Sequence, residues 1–248
     1  MNLLTQVLHI VGSGASAYVL SSSIRDLKTR PNVLAGFQMA ESGAVPFLQA
    51  LRDRAASEGE TWLAEKLDRH ANDEKRHGQI FAHGLKQLDR RVMDFSKMRD
   101  RERDSNSSEQ RSPFFGAYFK GYSMEQLKPE NMEWSVFMAS TYILELDASK
   151  DFVRMANALP DDAVSTNLKK GILSVAQDET GHAAYLREAM ERRYGARQTQ
   201  ILIDEWRSRK VDAMLASMQN FIGKGGKMAQ MTEEGAPVEM QAVEQVAA

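Results

Sequence analysis

The amino-acid sequence contains no cysteine in its 248 residues. This absence excludes disulfides, iron–sulfur clusters, thiolate zinc sites and a thiol nucleophile, so any bound metal must be held by nitrogen and oxygen atoms. The sequence also lacks a strong excess of charge, because its formal net charge is −2. A nearly neutral chain has no general attraction to nucleic acid or to anionic lipid, so neither is an expected partner.

Long apolar runs are also missing, and no segment approaches the length of a transmembrane helix. The N-terminal stretch from Met1 to Leu20 is mildly apolar. A signal peptide has a basic start and an unbroken apolar stretch, whereas this start is uncharged and Gln6, His9 and Gly12 interrupt it. We therefore expect one or two short amphipathic helices here, and a cytoplasmic protein.

Four long segments repeat apolar residues every three or four positions, a pattern that predicts amphipathic helices. These segments run from about Asn32 to Ala56, from Thr61 to Arg90, from Asn131 to Ala158, and from Asp161 or Asp162 to Tyr194. Gly195 is a natural stop, and a fifth helix is expected from Thr199 to about Ile222. The pattern predicts one helical domain over residues 1–226 and a disordered tail over residues 227–248.

The region between the second and third helices has a different composition. Residues from about Ser96 to Pro113 are rich in charged residues and serine, which predicts a solvated loop. The aromatic run that follows, Phe114 to Phe119, allows two interpretations: a lid over an apolar channel, or a short helix that plugs the end of the helices.

Each of the four long helices carries a carboxylate at the centre of its apolar stripe, and the second and fourth add a histidine three residues later. These residues are Glu41, Glu74, His77, Glu145, Glu179 and His182. A buried polar group without a partner costs about 2–7 kcal/mol, so six of them at matching depths need a common explanation. Residues three apart share one helix face, so each histidine and its glutamate can bind the same metal ion.

The motif repeats, because each isolated stripe glutamate precedes a Glu-x-x-His motif by 33 or 34 residues. Two helical hairpins related by a pseudo-twofold axis would therefore build the site. Asp73 and Asp178 stand directly before the two motifs, and one helical step of about 100° turns them away from the ions. We predict that Asp73 accepts a hydrogen bond from His182, and Asp178 one from His77.

The order Glu, Glu-x-x-His, Glu, Glu-x-x-His resembles the ferritin-like di-iron carboxylate superfamily. The stretches Asp73–His77 and Asp178–His182 are similar to the Asp-Glu-x-x-His motifs of its oxygenase members, and the resemblance extends from about Asn32 to Tyr194. It implies an all-α, ferritin-like four-helix bundle with additional N- and C-terminal helices. It also implies two iron ions, although manganese accepts the same ligands.

The resemblance implies a non-haem di-iron oxygenase that activates dioxygen and oxidises a small, largely apolar organic substrate, with an external electron donor. The sequence is compatible with a homodimer. The alternatives are a peroxide-disproportionating enzyme like manganese catalase or rubrerythrin, ferritin-like iron storage, and a transfer-RNA hydroxylase. Thr141, Tyr142 and Tyr185 are candidate catalytic residues because they lie near the site in sequence. His70, one turn before Glu74, is expected to make a hydrogen bond in the core rather than to bind metal.

Overall fold

A computed structural model describes residues 3–93, 112–226 and 230–235. Within these ranges the protein is almost entirely helical, which confirms the all-α class. The helices are α1 Leu3–Arg25, α2 Arg30–Ser57, α3 Thr61–Gln87, α4 Pro113–Tyr118, α5 Trp134–Ala158 and α6 Ala163–Gly223, with a 3-10 turn at Glu125–Leu127. Two short strands, β1 Arg90–Val92 and β2 Thr232–Glu234, form an antiparallel pair.

Local sequence signals explain where α6 begins and bends. The Asp162 side chain accepts a hydrogen bond from the Ser165 backbone N–H at 2.7 Å and caps the first turn. Gly195 has φ 77° and ψ 160°, a conformation that favours glycine and interrupts the helix at the predicted stop. Helical residues resume directly after it, so the predicted fifth helix begins earlier than Thr199.

Two expectations about the ends of the chain are corrected by the structure, and a third, about an internal loop, falls mainly outside the described residues. The N-terminal segment forms one helix of 23 residues instead of one or two short ones, because it packs along α5 and α6. The tail prediction is wrong for residues 230–235, where Met231 N–H and Thr232 Oγ1 hydrogen-bond Asn32 Oδ1 at 3.1 and 3.2 Å. The predicted loop falls mainly on residues 94–111, which lie outside the described residues.

The long helices pack as two hairpins, α2 with α3 and α5 with the first half of α6, and α3 also contacts α6. Their apolar side chains form two separate cores. The first core includes Leu51, Leu67, Phe137 and Leu186. The second core includes Leu34, Phe81, Phe152 and Ile172. In the described ranges, no helix is both long enough and apolar enough to cross a membrane.

Candidate metal centre

The candidate site lies between the two apolar cores, and each of the four long helices crosses this layer. On α3, for example, the first core ends at Ala71, the second begins at Phe81, and Glu74 and His77 lie between them. The apolar blocks of the other three helices are interrupted in the same way, by Glu41 on α2, by Glu145 on α5 and by the pair Glu179–His182 on α6. The six residues predicted to lie at matching depths in the four helices therefore form one buried polar layer.

Two groups of side chains in this layer could each hold one metal ion, since one donor atom from every member lies within 4.8 Å of the others. Position 1 is the group Glu41, Glu74, His77 and Glu179. Position 2 is the group His70, Glu74, Glu145 and His182. The structure thus brings together all six ligands predicted from the sequence and adds His70.

Two glutamates reach both positions. Glu74 belongs to both groups. Glu179 places Oε1 3.2 Å from His77 Nδ1 and Oε2 3.0 Å from His182 Nδ1. The expected pairing of Glu179 with His182 alone is therefore too simple, because the carboxylate extends between the two histidines. Glu41 and Glu145 each belong to a single group, Glu41 to position 1 and Glu145 to position 2.

Both predicted aspartate–histidine contacts are present. Asp178 Oδ2 lies 3.1 Å from His77 Nε2, and Asp73 Oδ2 lies 3.2 Å from His182 Nε2. Each aspartate comes from the opposite hairpin, as expected from the pseudo-twofold repeat. Each contact occupies the outer ring nitrogen and leaves Nδ1 directed at the glutamates, which is how carboxylates orient histidine ligands in metal sites. Arg76 also donates a hydrogen bond to Asp178.

The inner nitrogen of His77 is an unusual buried atom. His77 Nδ1 lies 3.2 Å from Glu179 Oε1 and 3.5 Å from Glu41 Oε2. It nevertheless makes no hydrogen bond of acceptable geometry within the described residues. A buried nitrogen without a partner is costly unless another group binds it, and a metal ion among the glutamates would do so.

The electrostatics of the layer also call for positive charge. Burial and neighbouring carboxylates raise the pKa of Glu41 and Glu145 well above the ordinary value, and burial raises the pKa of Glu74. Burial disfavours protonated histidine, yet the nearby carboxylates of Glu179 and Glu41 raise the pKa of His77 to about 10, and those of Asp73 and Glu179 raise the pKa of His182 to about 9. Two dications would balance the charge of four glutamates, so the donor set fits a pair of divalent metals.

His70 makes the expected core hydrogen bonds and also lies among the candidate ligands. Its Nδ1 is 2.8 Å from the Tyr185 hydroxyl, and its Nε2 is 2.9 Å from Glu74 Oε1 and 3.4 Å from Glu145 Oε1. Burial and the nearby His182 lower the pKa of His70, so its imidazole is neutral. The spacing His70-x-x-x-Glu74-x-x-His77 was the available signal, because it places all three residues on one helix face.

An apolar cavity of about 410 Å³ lies against the layer. Glu41, His70, Glu74, Glu145 and Glu179 form one of its walls. The other lining side chains are apolar except Ser140 and Thr141, and they include Ala44, Phe47, Leu48, Phe115, Phe119, Phe137, Leu144 and Ala148. The cavity therefore brings the candidate ligands next to a space that suits an uncharged organic molecule.

The aromatic run has features of both interpretations made from the sequence. It forms the short helix α4, and its residues Phe115 and Phe119 line the cavity. Phe119 also packs against Trp206 of α6, with 5.3 Å between ring centroids. Phe115 is 46% exposed, so it lies between the cavity and solvent.

The three candidate catalytic residues occupy different places. Thr141 lines the cavity one turn before Glu145. Tyr185 is buried, and its hydroxyl contacts His70. Tyr142 is also buried, but it interacts with Arg187 and is not among the residues that line the cavity. Thr141 is therefore the candidate placed to touch a molecule in the cavity.

Comparisons with known proteins do not assign a family. No protein-family model matches the chain, and neither curated proteins nor solved structures give a significant match. Any functional assignment must therefore come from the site itself.

Proposed function

We propose that this protein is a ferritin-like, dinuclear metal oxidoreductase that uses dioxygen to oxidise a small, largely apolar organic substrate. Two iron ions would occupy positions 1 and 2, with manganese as the alternative metal. The observation that carries the proposal is the direct contact between a buried layer of glutamates and histidines and an apolar cavity. Neither feature alone would indicate an oxygenase.

The donor atoms support a pair of iron or manganese ions. Carboxylate oxygen and imidazole nitrogen suit both metals, and the sequence supplies no thiolate. Donors bound at about 2.1 Å to one ion lie about 3 Å apart when they are adjacent. The distances between Glu179 and the inner nitrogens of His77 and His182, 3.2 and 3.0 Å, agree with this spacing.

When bound, a reduced iron pair supplies the electrons and open coordination positions that dioxygen chemistry requires. The protein residues have other tasks. Asp73 and Asp178 orient two histidines through their outer nitrogens. The apolar cavity wall, with Phe137 and Leu144, binds the substrate and keeps water out. The Thr141 hydroxyl can hydrogen-bond a polar group of the substrate at the wall nearest Glu145.

Peroxide disproportionation is the rival reaction, because the same ligands accept manganese. Hydrogen peroxide needs neither an organic binding site nor an external reductant. A cavity of about 410 Å³ with a mostly apolar lining favours the oxidation of an organic substrate. Iron storage likewise gives no reason for such a cavity beside the metals. Transfer-RNA hydroxylation would need a basic docking face, which the net charge of −2 does not favour.

The test is anaerobic loading with Fe²⁺, followed by measurement of metal content and of oxygen consumption after chemical reduction. Apolar alcohols, amines and aromatic compounds should be screened as substrates by mass spectrometry of the products. Ala148→Phe would fill the cavity, and Ala56→Phe provides a matched control because Ala56 is exposed on α2. We expect Ala148→Phe to bind two ions but to lose substrate oxidation.

Two results would overturn the proposal. One is a protein that binds fewer than two ions per chain at saturation. The other is an iron-loaded protein that is inert to dioxygen, together with a manganese-loaded protein that rapidly disproportionates hydrogen peroxide. The second result would establish the rival reaction.

A further inference from the structure

We propose that His70 is a seventh metal ligand and that it makes the two metal positions chemically unequal. The inference rests on the metal centre proposed above and adds one residue to it. Position 2 then has two imidazoles and two carboxylates, whereas position 1 has one imidazole and three carboxylates.

The two hairpins differ at the place that His70 occupies. His70 stands four residues before Glu74 on α3, and the equivalent residue before Glu179 on α6 is Val175. Tyr185 stands three residues after His182, and the equivalent residue after His77 is Ile80. His70 of α3 and Tyr185 of α6 thus form a polar pair between the hairpins, whereas the equivalent positions hold two apolar residues, so the repeat alone does not account for His70.

His70 divides its two ring nitrogens as the other two histidines do. Its Nδ1 faces an outer partner, the Tyr185 hydroxyl, at 2.8 Å. Its Nε2 faces Glu74 Oε1 at 2.9 Å and Glu145 Oε1 at 3.4 Å. With Nδ1–H donating to the phenol oxygen, Nε2 offers its lone pair to an ion between those glutamates, and Tyr185 fixes the tautomer that binds.

The ring geometry places two imidazoles at the same ion. The His70 and His182 rings stack with 3.7 Å between centroids and 27° between planes. His182 Nδ1 lies 3.7 Å from Glu74 Oε1, the oxygen that His70 Nε2 also approaches. Because one donor atom from each residue of position 2 lies within 4.8 Å of the others, one ion can accept both nitrogens.

The number of histidine ligands can be counted directly in Co²⁺-loaded protein by proton NMR. Each histidine bound to a paramagnetic ion contributes one strongly shifted N–H resonance that disappears in D₂O. We expect three such resonances in the wild type and two in His70→Ala. His83→Ala is the matched control, because His83 is an exposed histidine on the same helix, and it should keep all three.

The variant Tyr185→Phe distinguishes a His70 that binds metal from a His70 that only packs in the core. The variant should keep three resonances, but one of them should exchange faster with water because its N–H has lost its acceptor. If the wild type binds two Co²⁺ ions but shows only two resonances, the proposal that His70 is a ligand is overturned, whereas the proposed metal centre is not. A wild type that binds no Co²⁺, Fe²⁺ or Mn²⁺ would overturn both proposals. Should His70→Ala fail to fold, the wild-type count and Tyr185→Phe still decide the question.

Discussion

Removal of the metals should lower the melting temperature of this protein by about 10–20 °C. The magnitude follows from the proposed centre, which has two groups of candidate ligands and therefore two candidate metal sites. An ion present at 100 times its dissociation constant stabilises the folded state by about 2.7 kcal/mol, so two ions give about 5.4 kcal/mol. For a chain of about 250 residues, each kcal/mol shifts the melting temperature by about 2–4 °C.

The assay is differential scanning calorimetry of metal-free and Mn²⁺-loaded protein, since Mn²⁺ avoids oxidation during the scan. Glu74→Gln removes a carboxylate that belongs to both positions, so most of the metal-dependent shift should disappear. The metal-free variant should be at least as stable as metal-free wild type, because burial raises the pKa of Glu74 and the fold therefore disfavours its charged form. Glu65→Gln, an exposed position on the same helix, should behave like the wild type. An equal metal-dependent shift in both variants would refute the reasoning.

Three further predictions concern the outer aspartates, the cavity and the N-terminal helix. Asp73→Asn and Asp178→Asn should each weaken metal affinity by about 10- to 100-fold, measured by chelator competition, and unchanged affinity would contradict their orienting role. Ala148→Phe should abolish the binding of an apolar fluorescent probe without lowering metal content, whereas retained probe binding would place the probe elsewhere. Asp147→Asn should lower the free energy of unfolding in urea by about 3 kcal/mol, because Lys210 would lose the carboxylate 2.6 Å from its Nζ and His9 of α1 would lose the same carboxylate 3.2 Å from its Nε2. A change below about 1 kcal/mol would show that the contact adds little to stability.

The sequence was sufficient to predict the long helices and the residues that meet between them. Apolar periodicity identifies the buried face, and a glutamate at the centre of that face is costly enough to demand a partner. Four such glutamates in four helices, at similar spacing, are enough to predict from the sequence alone that they converge. The Asp73 and Asp178 contacts followed from one more step of helical geometry.

His70 could not be assigned in the same way. It stands on the same face as Glu74, but the other hairpin has Val175 at the equivalent position, so the repeat gave no support. Its environment depends on Glu145 and Tyr185, which come from α5 and α6. Only the packing of three helices places these groups around one imidazole, and helical periodicity carries no information about that packing.

Strand β2 was missed for a different physical reason. Its pairing with β1 joins residues about 140 positions apart, and each strand has only three residues. Short strands of this kind have no internal periodicity that could be recognised. Part of their stability comes from Asn32, which accepts hydrogen bonds from Met231 N–H and the Thr232 hydroxyl. The contacts of this segment are therefore with the start of α2 and with β1.

The distribution of symmetric and asymmetric contacts indicates which face of the candidate centre would perform the proposed chemistry. The matching aspartate contacts, Asp178 to His77 and Asp73 to His182, both join α3 to α6. The cavity lies on the side of α2 and α5, and within the described ranges His70 is the one histidine that lines it. In the proposed centre, the pseudo-twofold pairs would thus hold the metals from one side, away from the cavity. His70, which breaks the repeat, lines the cavity where a substrate would bind. The difference between the two metal positions would therefore affect the side of the centre that faces the substrate.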